Sequence, residues 1–123
     1  MIPTMLSFWG WHWNDNMRDW NRDHHFDGSY HIASGYIYNS QFGVTKPLDK
    51  SSSPFLIVHL QSGAALVWAK SLSNAIDIID DGLMELDGWN RTDPEVVRDD
   101  VYKGDMRYKL DKIRGNSVPT FLY

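Results

Sequence analysis

The sequence predicts a single α+β domain, in which a small antiparallel sheet of three to four strands is packed by an amphipathic helix and followed by two short C-terminal helices. Three observations predict this fold. Residues 54–86 contain two apolar runs separated by Gln61-Ser62-Gly63, which is typical of a β-hairpin, and then a run with helical spacing. A further alternating segment precedes the hairpin. Two short helical patterns follow it.

Length and composition favour one globular domain over residues 1–123. The chain is 42% hydrophobic and 14% aromatic, whereas disordered chains are poor in both classes. It has no Cys, which excludes disulfides, thiolate metal sites and Cys nucleophiles and fits a reducing compartment. The N-terminus has no Lys or Arg before its apolar residues, and no run has the length of a membrane span. We therefore expect a soluble cytoplasmic protein.

The N-terminal residues 1–13 form a predicted Trp-rich arm. Trp9, Trp11 and Trp13 alternate with other residues, so a strand would place all three on one face. We interpret this arm as an edge strand packed on the domain, with an exposed partner-binding patch as the alternative. Residues 14–25 then have the spacing of a helix.

The central elements are a strand, a loop, the hairpin and its helix. Residues 30–38 alternate as a strand does, and we expect them to pair with the hairpin. Residues 39–54 are rich in Gly, Pro and Ser, which predicts a loop. The hairpin strands are predicted at 55–60 and 65–69, with Gly63 in the turn. The helix that follows, predicted over 72–86, has one apolar stripe: Leu72, Ala75, Ile76, Ile79, Leu83 and Leu86.

The predicted helices have recognisable ends. Ser71 or Ser73 can cap the helix over 72–86 by accepting hydrogen bonds from its free N–H groups. Two short helices are predicted within 92–115, where Thr92 and Glu95 have the spacing of a capping box. A Gly at position 115 ends the second one.

The net charge of −4 is unevenly distributed along the chain. Residues 77–100 contain two arginines and nine acids: Asp77, Asp80, Asp81, Glu85, Asp87, Asp93, Glu95, Asp99 and Asp100. Residues 101–123 contain five basic residues and two acids. Proteins that bind nucleic acid directly usually present a basic surface, so the acidic block argues against direct nucleic-acid binding.

Few residues of the sequence indicate a catalytic or metal-binding role. His24, His25 and His31, with Asp27 nearby, come closest to a metal-binding group. Adjacent residues on a helix point in different directions, however, so we interpret the group as structural and predict no metal and no cofactor. Phosphate loops, the Gly-x-Ser-x-Gly elbow and His-Glu-x-x-His are absent from the sequence. We predict no catalytic residue, and we interpret His59 as a hydrogen-bonded, partly buried side chain.

The predicted order helix, strand, strand, strand, helix resembles the double-stranded-RNA-binding domain. That family places a cluster of lysines at the start of its second helix to contact phosphates. Here the corresponding stretch, from Lys70 to Asp77, has one Lys and continues into acids. The resemblance therefore implies a fold, and no RNA-binding residue is carried over from it.

The functional hypothesis is a non-enzymatic protein-binding module, an inhibitor or adaptor that binds the basic surface of a nucleic-acid-handling protein. Its profile is similar to that of small accessory inhibitors made by phages and other mobile elements, including anti-CRISPR proteins. The predicted partner-binding residues are Asp77, Asp80, Asp81, Glu85 and Asp87, with Trp9, Trp11 and Trp13 as anchors. Two alternatives remain open. One is a small metal-dependent hydrolase or nuclease that uses His24, His25 and His31, and the other is a structural homo-oligomer, such as a homodimer, held by the Trp-rich arm and the C-terminal tail.

Overall fold

A computed structural model of the chain describes residues 4–13, 26–45, 55–90 and 93–114. The α+β class is confirmed. The elements in chain order are β1 Thr4–Trp13, β2 Phe26–Tyr38, β3 Phe42–Thr45, β4 Phe55–His59, β5 Ala64–Ala69, α1 Leu72–Asp81, a 3₁₀ helix Leu83–Glu85, α2 Pro94–Lys103 and α3 Asp105–Arg114.

The described strands form one antiparallel sheet in the order β1-β2-β3-β4-β5, one strand more than the upper end of the prediction. The additional strand is β3, which lies inside the segment 39–54 that we predicted to be a loop. Its four residues are all buried, and the turn before it is made by Asn39 and Ser40, both with positive φ. Since β3 lies between β2 and β4, the prediction that residues 30–38 pair directly with the hairpin was wrong.

The larger part of the core lies between one face of the sheet and the helices. It is formed by Phe42, Val44, Ile57, Leu66, Ala75, Ile79, Leu83, Val97, Val101, Met106 and Leu110, among others. All three α-helices pack on β5, and α1 also packs on β3 and β4. The described helices therefore cover the β3–β5 half of the sheet.

A smaller cluster on the opposite face holds β1 against the sheet. Leu6 is buried there with Leu56, Val58 and Ala65. It packs directly over two glycines, because a Cβ added at Gly35 or Gly43 would lie only 2.9 or 3.0 Å from its Cδ1 atom. The strand β1 also approaches β5, which is at the other edge of the sheet, so the sheet is curved. Glycine at these two positions allows the close approach.

The helix ends agree with the predictions in part. Ser71 caps α1, since its Oγ accepts a hydrogen bond from the backbone N–H of Asn74 at 3.0 Å. The regular helix ends at Asp81, five residues before the predicted end, and the 3₁₀ helix continues the chain after Gly82. The N-cap of α2 is Asp93 and not the predicted Thr92.

Two predicted segments, the helix over 14–25 and the C-terminal tail after residue 115, lie outside the described residues. Among the described elements five strands precede α1, so the three-strand order of the double-stranded-RNA-binding domain is not found in this part of the chain. None of the helices in the described ranges has the length and apolar character needed to cross a membrane.

Candidate protein-binding surface

The five acidic residues predicted to bind a partner are all exposed, in the second half of α1 and just after it. They are Asp77, Asp80, Asp81, Glu85 and Asp87, and we refer to them as the acidic face. Three of them belong to α1, one to the 3₁₀ helix, and one to the turn that follows.

The orientation of this surface follows from the apolar spacing of the same segment. Ala75, Ile79 and Leu83 recur every four residues and are fully buried against the sheet. Since these residues anchor the inner side, the acids at the intervening positions lie on the outer side. The indole Nε1 of Trp89 donates a hydrogen bond to the carbonyl oxygen of Leu83 at 2.8 Å, which ties the 3₁₀ helix to the core.

One member of the acidic face is held in place by the sheet. The hydroxyl of Tyr38, at the end of β2, is 2.8 Å from each carboxylate oxygen of Asp80 and donates a hydrogen bond to that group. This hydrogen bond, together with partial desolvation and the negative charge of Asp80, raises the pKa of Tyr38 above its usual value. The contact joins residues 42 positions apart, so no local sequence pattern indicates it.

Within the described part of the chain, no Lys or Arg forms an ion pair with a member of the acidic face. The ion pairs described lie elsewhere, between Arg98 and Asp99 and between Arg114 and Asp111. The field of the acidic face is therefore not cancelled by a described neighbouring cation.

The acidic block of residues 77–100 does not act as one surface. Its last two members are half-buried: Asp99 pairs with Arg98 at 2.9 Å, and Asp100 accepts a hydrogen bond from the backbone N–H of Met106 at 3.1 Å. Asp93 caps α2 by accepting from the backbone N–H of Glu95. These acids stabilise the C-terminal helices, which leaves residues 77–87 as the candidate surface.

A buried polar cluster lies directly behind the acidic face. His59 is 1% exposed, and its Nδ1 is 2.8 Å from the hydroxyl of Ser62, which in turn accepts a hydrogen bond from the backbone N–H of Ala64. Its ring packs against Trp89 with centroids 5.1 Å apart, and Trp89 meets Phe42 edge-to-face. Burial lowers the pKa of His59 to about 4, although its hydrogen bond to the backbone of Trp89 opposes the shift.

The ring of His59 is therefore neutral at physiological pH. The backbone N–H of Ser62 also donates to Nδ1, at 3.4 Å, so Nδ1 is an acceptor, the hydroxyl of Ser62 donates to it, and the ring proton is on Nε2. His59 is more deeply buried than predicted, and the sequence analysis missed Ser62 as its partner. The spacing of the two residues could have indicated this contact, because a tight turn brings together residues that are three positions apart.

The three predicted Trp anchors lie on a different element from the acidic face. Trp9, Trp11 and Trp13 are in β1, opposite Tyr30, Gly28 and Phe26 of β2 respectively. The helix α1 packs mainly on β3, β4 and β5. The acids and the tryptophans therefore belong to two different elements of the fold.

The predicted metal group falls largely outside the described residues. His24 and His25 lie there, whereas His31 is in β2, opposite Phe8. In the ranges that the structure covers, no three His, Asp or Glu residues are close enough together to hold a metal ion.

Comparisons with known proteins give no further guidance to the role of this surface. No protein-family model, no curated protein and no solved structure matches the chain.

Proposed function

We propose that this protein is a non-enzymatic protein-binding module, an inhibitor or adaptor that binds a basic surface of another protein through its acidic face. Carboxylates that are exposed and unpaired attract basic partners over several ångströms and select against acidic ones. The described surface offers this arrangement on a helix whose inner side is fixed by core packing.

The observation that carries the proposal is the position of the acids on α1. Asp80 and Asp81 lie in the last turn of the helix, which contains no basic residue, and the first turn contains no acid. The dipole of a helix disfavours negative charge at this end, typically by about 0.3–1 kcal/mol per charge. Asp77 and Asp81 are also four residues apart, where like charges repel.

This arrangement lowers the stability of α1, and among the described residues Asp80 alone has a compensating contact, the hydrogen bond from Tyr38. The other helices have the opposite arrangement: α2 has Glu95 in its first turn, and α3 has Asp105 in its first turn and Lys112 in its last. A charge pattern that opposes folding in one helix alone supports a role in binding.

The chemistry of the acidic face supports a partner with clustered Lys and Arg. Surfaces that bind nucleic acids carry clustered Lys and Arg, so the proposed partner is a nucleic-acid-handling protein of the cytoplasm. Met84 is 44% exposed between Asp81 and Glu85, and an apolar side chain surrounded by charges is a typical centre of a small interface.

The test uses the tagged full-length chain to capture proteins from its native cell extract at low and high salt. The variant Asp81→Lys/Glu85→Lys reverses two charges of the acidic face. The control Glu95→Lys/Asp105→Lys reverses two exposed acids of α2 and α3, and both variants change the net charge of −4 by the same amount.

We expect the wild type and the control to retain a basic protein at low salt, and high salt or added nucleic acid to release it. The acidic-face variant should retain at least tenfold less. If both variants bind equally, the acidic face does not contribute to recognition and the proposal fails.

A further inference from the structure

Residues 84–90 cover the buried ring of His59, and we refer to them as the Trp89 segment. Within the sheet, His59 lies opposite Phe42 of β3 and Ala64 of β5, and both pairs belong to backbone hydrogen-bonded ladders. Directly opposite residues share a face of the sheet, so His59 lies on the helix side with Phe42. There its ring packs against Trp89, with the two ring centroids 5.1 Å apart. The contact that covers the ring on this side therefore comes from the Trp89 segment.

Side-chain contacts attach the Trp89 segment to the domain. Leu86 packs against the core, Trp89 packs on His59, and the side-chain amide of Gln41 donates to Oδ1 of Asn90 at 2.9 Å. The backbone–backbone hydrogen bonds described for the segment join it only to the 3₁₀ helix and the residue that precedes that helix. Segments held in this way open locally at a lower cost than the strands of a central sheet. The Trp89 segment can therefore open while β3, β4 and β5 stay paired.

A proton on His59 is unfavourable while the Trp89 segment covers the ring. In the neutral ring, Nδ1 accepts hydrogen bonds from the hydroxyl and the backbone N–H of Ser62, and a protonated nitrogen cannot accept them. The positive charge also lies against the rings of Phe42 and Trp89 and away from water. Attraction of the charge to the Trp89 ring offsets part of this cost, but burial still lowers the pKa of His59 to about 4. Opening of the Trp89 segment exposes the ring to water and relieves the remaining cost.

The described elements around His59 contribute no buried carboxylate that could neutralise its charge. The strands β3 and β5 and the turn over residues 60–63 contain no titratable residue, and β4 contains none besides His59. The Trp89 segment contains Glu85 and Asp87, and α1, which also packs on β4, contains the other three members of the acidic face. All five of these carboxylates are exposed to solvent, where water screens their attraction for a buried positive charge. Access to water is therefore what stabilises a protonated His59.

We propose that His59 and Trp89 form an acid-sensitive latch, in which protonation of His59 releases the Trp89 segment while the sheet remains folded. Release moves Glu85 and Asp87 away from the three acids of α1, so the acidic face is divided. The protein then holds its partner at neutral pH and releases it in mild acid. This consequence for binding rests on the proposed function, whereas the latch itself does not.

The sign and the size of the effect follow from proton linkage. The open form takes up a proton near the ordinary pKa of 6.5, and the closed form does so only near a pKa of about 4. Since the open form binds more protons between these values, acid favours opening. The equilibrium constant for opening should rise about twentyfold between pH 7 and pH 5.

Hydrogen exchange of the full chain, followed by NMR, tests the latch without a binding partner. The indole N–H of Trp89 donates to the carbonyl oxygen of Leu83, so it exchanges when the Trp89 segment opens. After correction for the intrinsic pH dependence of exchange, its protection should fall about twentyfold from pH 7 to pH 5. This exchange should depend little on urea. The amides of β3 and β4 should be more protected and should exchange faster as urea is added, because they exchange through unfolding of the whole domain.

Two variants show whether His59 is the group responsible. His59→Gln cannot take up the proton, so the protection of the Trp89 indole should be the same at pH 7 and pH 5. The control Gln41→Ala removes the contact with Asn90, so it should lower the protection at both pH values and leave their ratio unchanged. A wild-type indole whose protection does not change with pH, or has the urea dependence of the strand amides, would overturn the proposal, and so would a His59→Gln protein that keeps the pH dependence. No partner is needed for these measurements, so the latch and the proposed function can fail independently.

Discussion

The buried cluster of His59, Ser62 and Trp89 and the acidic face lie on either side of the 3₁₀ helix Leu83–Glu85, and they differ in how their polar groups are satisfied. Inside, the side chains of His59, Ser62 and Trp89 all have hydrogen-bond partners at short distances. Outside, four of the five carboxylates have no described hydrogen-bond or ion-pair partner, and the fifth, Asp80, is bound only by Tyr38.

This difference separates a region that stabilises the fold from one that is exposed to solvent. A buried polar group without a partner costs free energy, so the inner cluster has to be complete. An exposed carboxylate is solvated by water and is free to meet a partner. The predictions below, in order of decreasing effect, test whether the two regions have these separate roles.

The largest effect is expected from Trp89→Ala. The substitution removes an edge-to-face contact with Phe42, the contact with His59 and the hydrogen bond to Leu83. We expect the free energy of unfolding to fall by about 3–5 kcal/mol, measured by urea denaturation. The control Met84→Ala, on the exposed side of the 3₁₀ helix, should change it by less than about 0.5 kcal/mol. Similar losses for the two variants would remove the distinction between the regions.

Acid should destabilise the protein through His59. In the unfolded chain this imidazole takes up a proton near its ordinary pKa of 6.5, whereas in the folded protein burial lowers the pKa to about 4. The unfolded state therefore binds more protons between these values, and the free energy of unfolding falls as the pH decreases from about 6.5 to about 4. The expected loss is on the order of 3 kcal/mol.

Urea denaturation of the wild type and of His59→Gln across this pH range measures the effect. The variant should have lower stability near neutral pH and a much weaker dependence on pH. The carboxylates titrate in both proteins, so the difference between the two curves isolates His59. Parallel curves would show that His59 is not buried in the neutral form.

The hydroxyl of Ser62 is expected to contribute less than the ring of Trp89. Ser62→Ala leaves Nδ1 of His59 and the backbone N–H of Ala64 without this partner in a buried site. We expect a loss of about 1–3 kcal/mol in thermal or urea unfolding. Ser73→Ala, at an exposed position of α1, serves as the control and should be neutral or slightly stabilising. A neutral Ser62→Ala would mean that water replaces the hydroxyl.

The smallest changes in the free energy of unfolding are expected from charge reversals at the ends of helices. The sign of the change distinguishes the acidic face from the acids of the C-terminal helices. Asp81→Lys should raise the free energy of unfolding by about 0.3–1 kcal/mol, because it puts a positive charge at the C-terminal end of α1. Asp105→Lys, in the first turn of α3, should lower it by a similar amount. Both changes should shrink in high salt, and effects of the same sign would refute the dipole argument.

Several features of the fold and of the site were predictable from local sequence. The apolar spacing of Ala75, Ile79 and Leu83 predicts α1, its buried side and the exposure of the acids between them, because helix periodicity alone fixes these relations. Ser71 as the cap and Gly63 in the turn, with φ of 71°, follow from local backbone chemistry in the same way.

Other features could not be read from local pattern. The strand β3 is four residues long, contains Gly43 and lies between Ser40 and Pro47, so the local composition predicts a loop. It forms a strand because β2 and β4 both offer it hydrogen-bonding partners, which local propensity does not include. The contacts of Tyr38 with Asp80 and of Arg114 with the carbonyl oxygen of Leu66 likewise join distant segments.

The sequence by itself determined the class of the fold, the periodicity of α1 and the concentration of negative charge, because each depends on residue type and short-range spacing. Only the tertiary structure decided that β3 completes the sheet, that Asp99 and Asp100 stabilise the C-terminal helices while the acidic face remains exposed, and that Trp9, Trp11 and Trp13 belong to β1, an element separate from the acidic face. These outcomes depend on which distant segments meet, and that is fixed by packing of the whole chain.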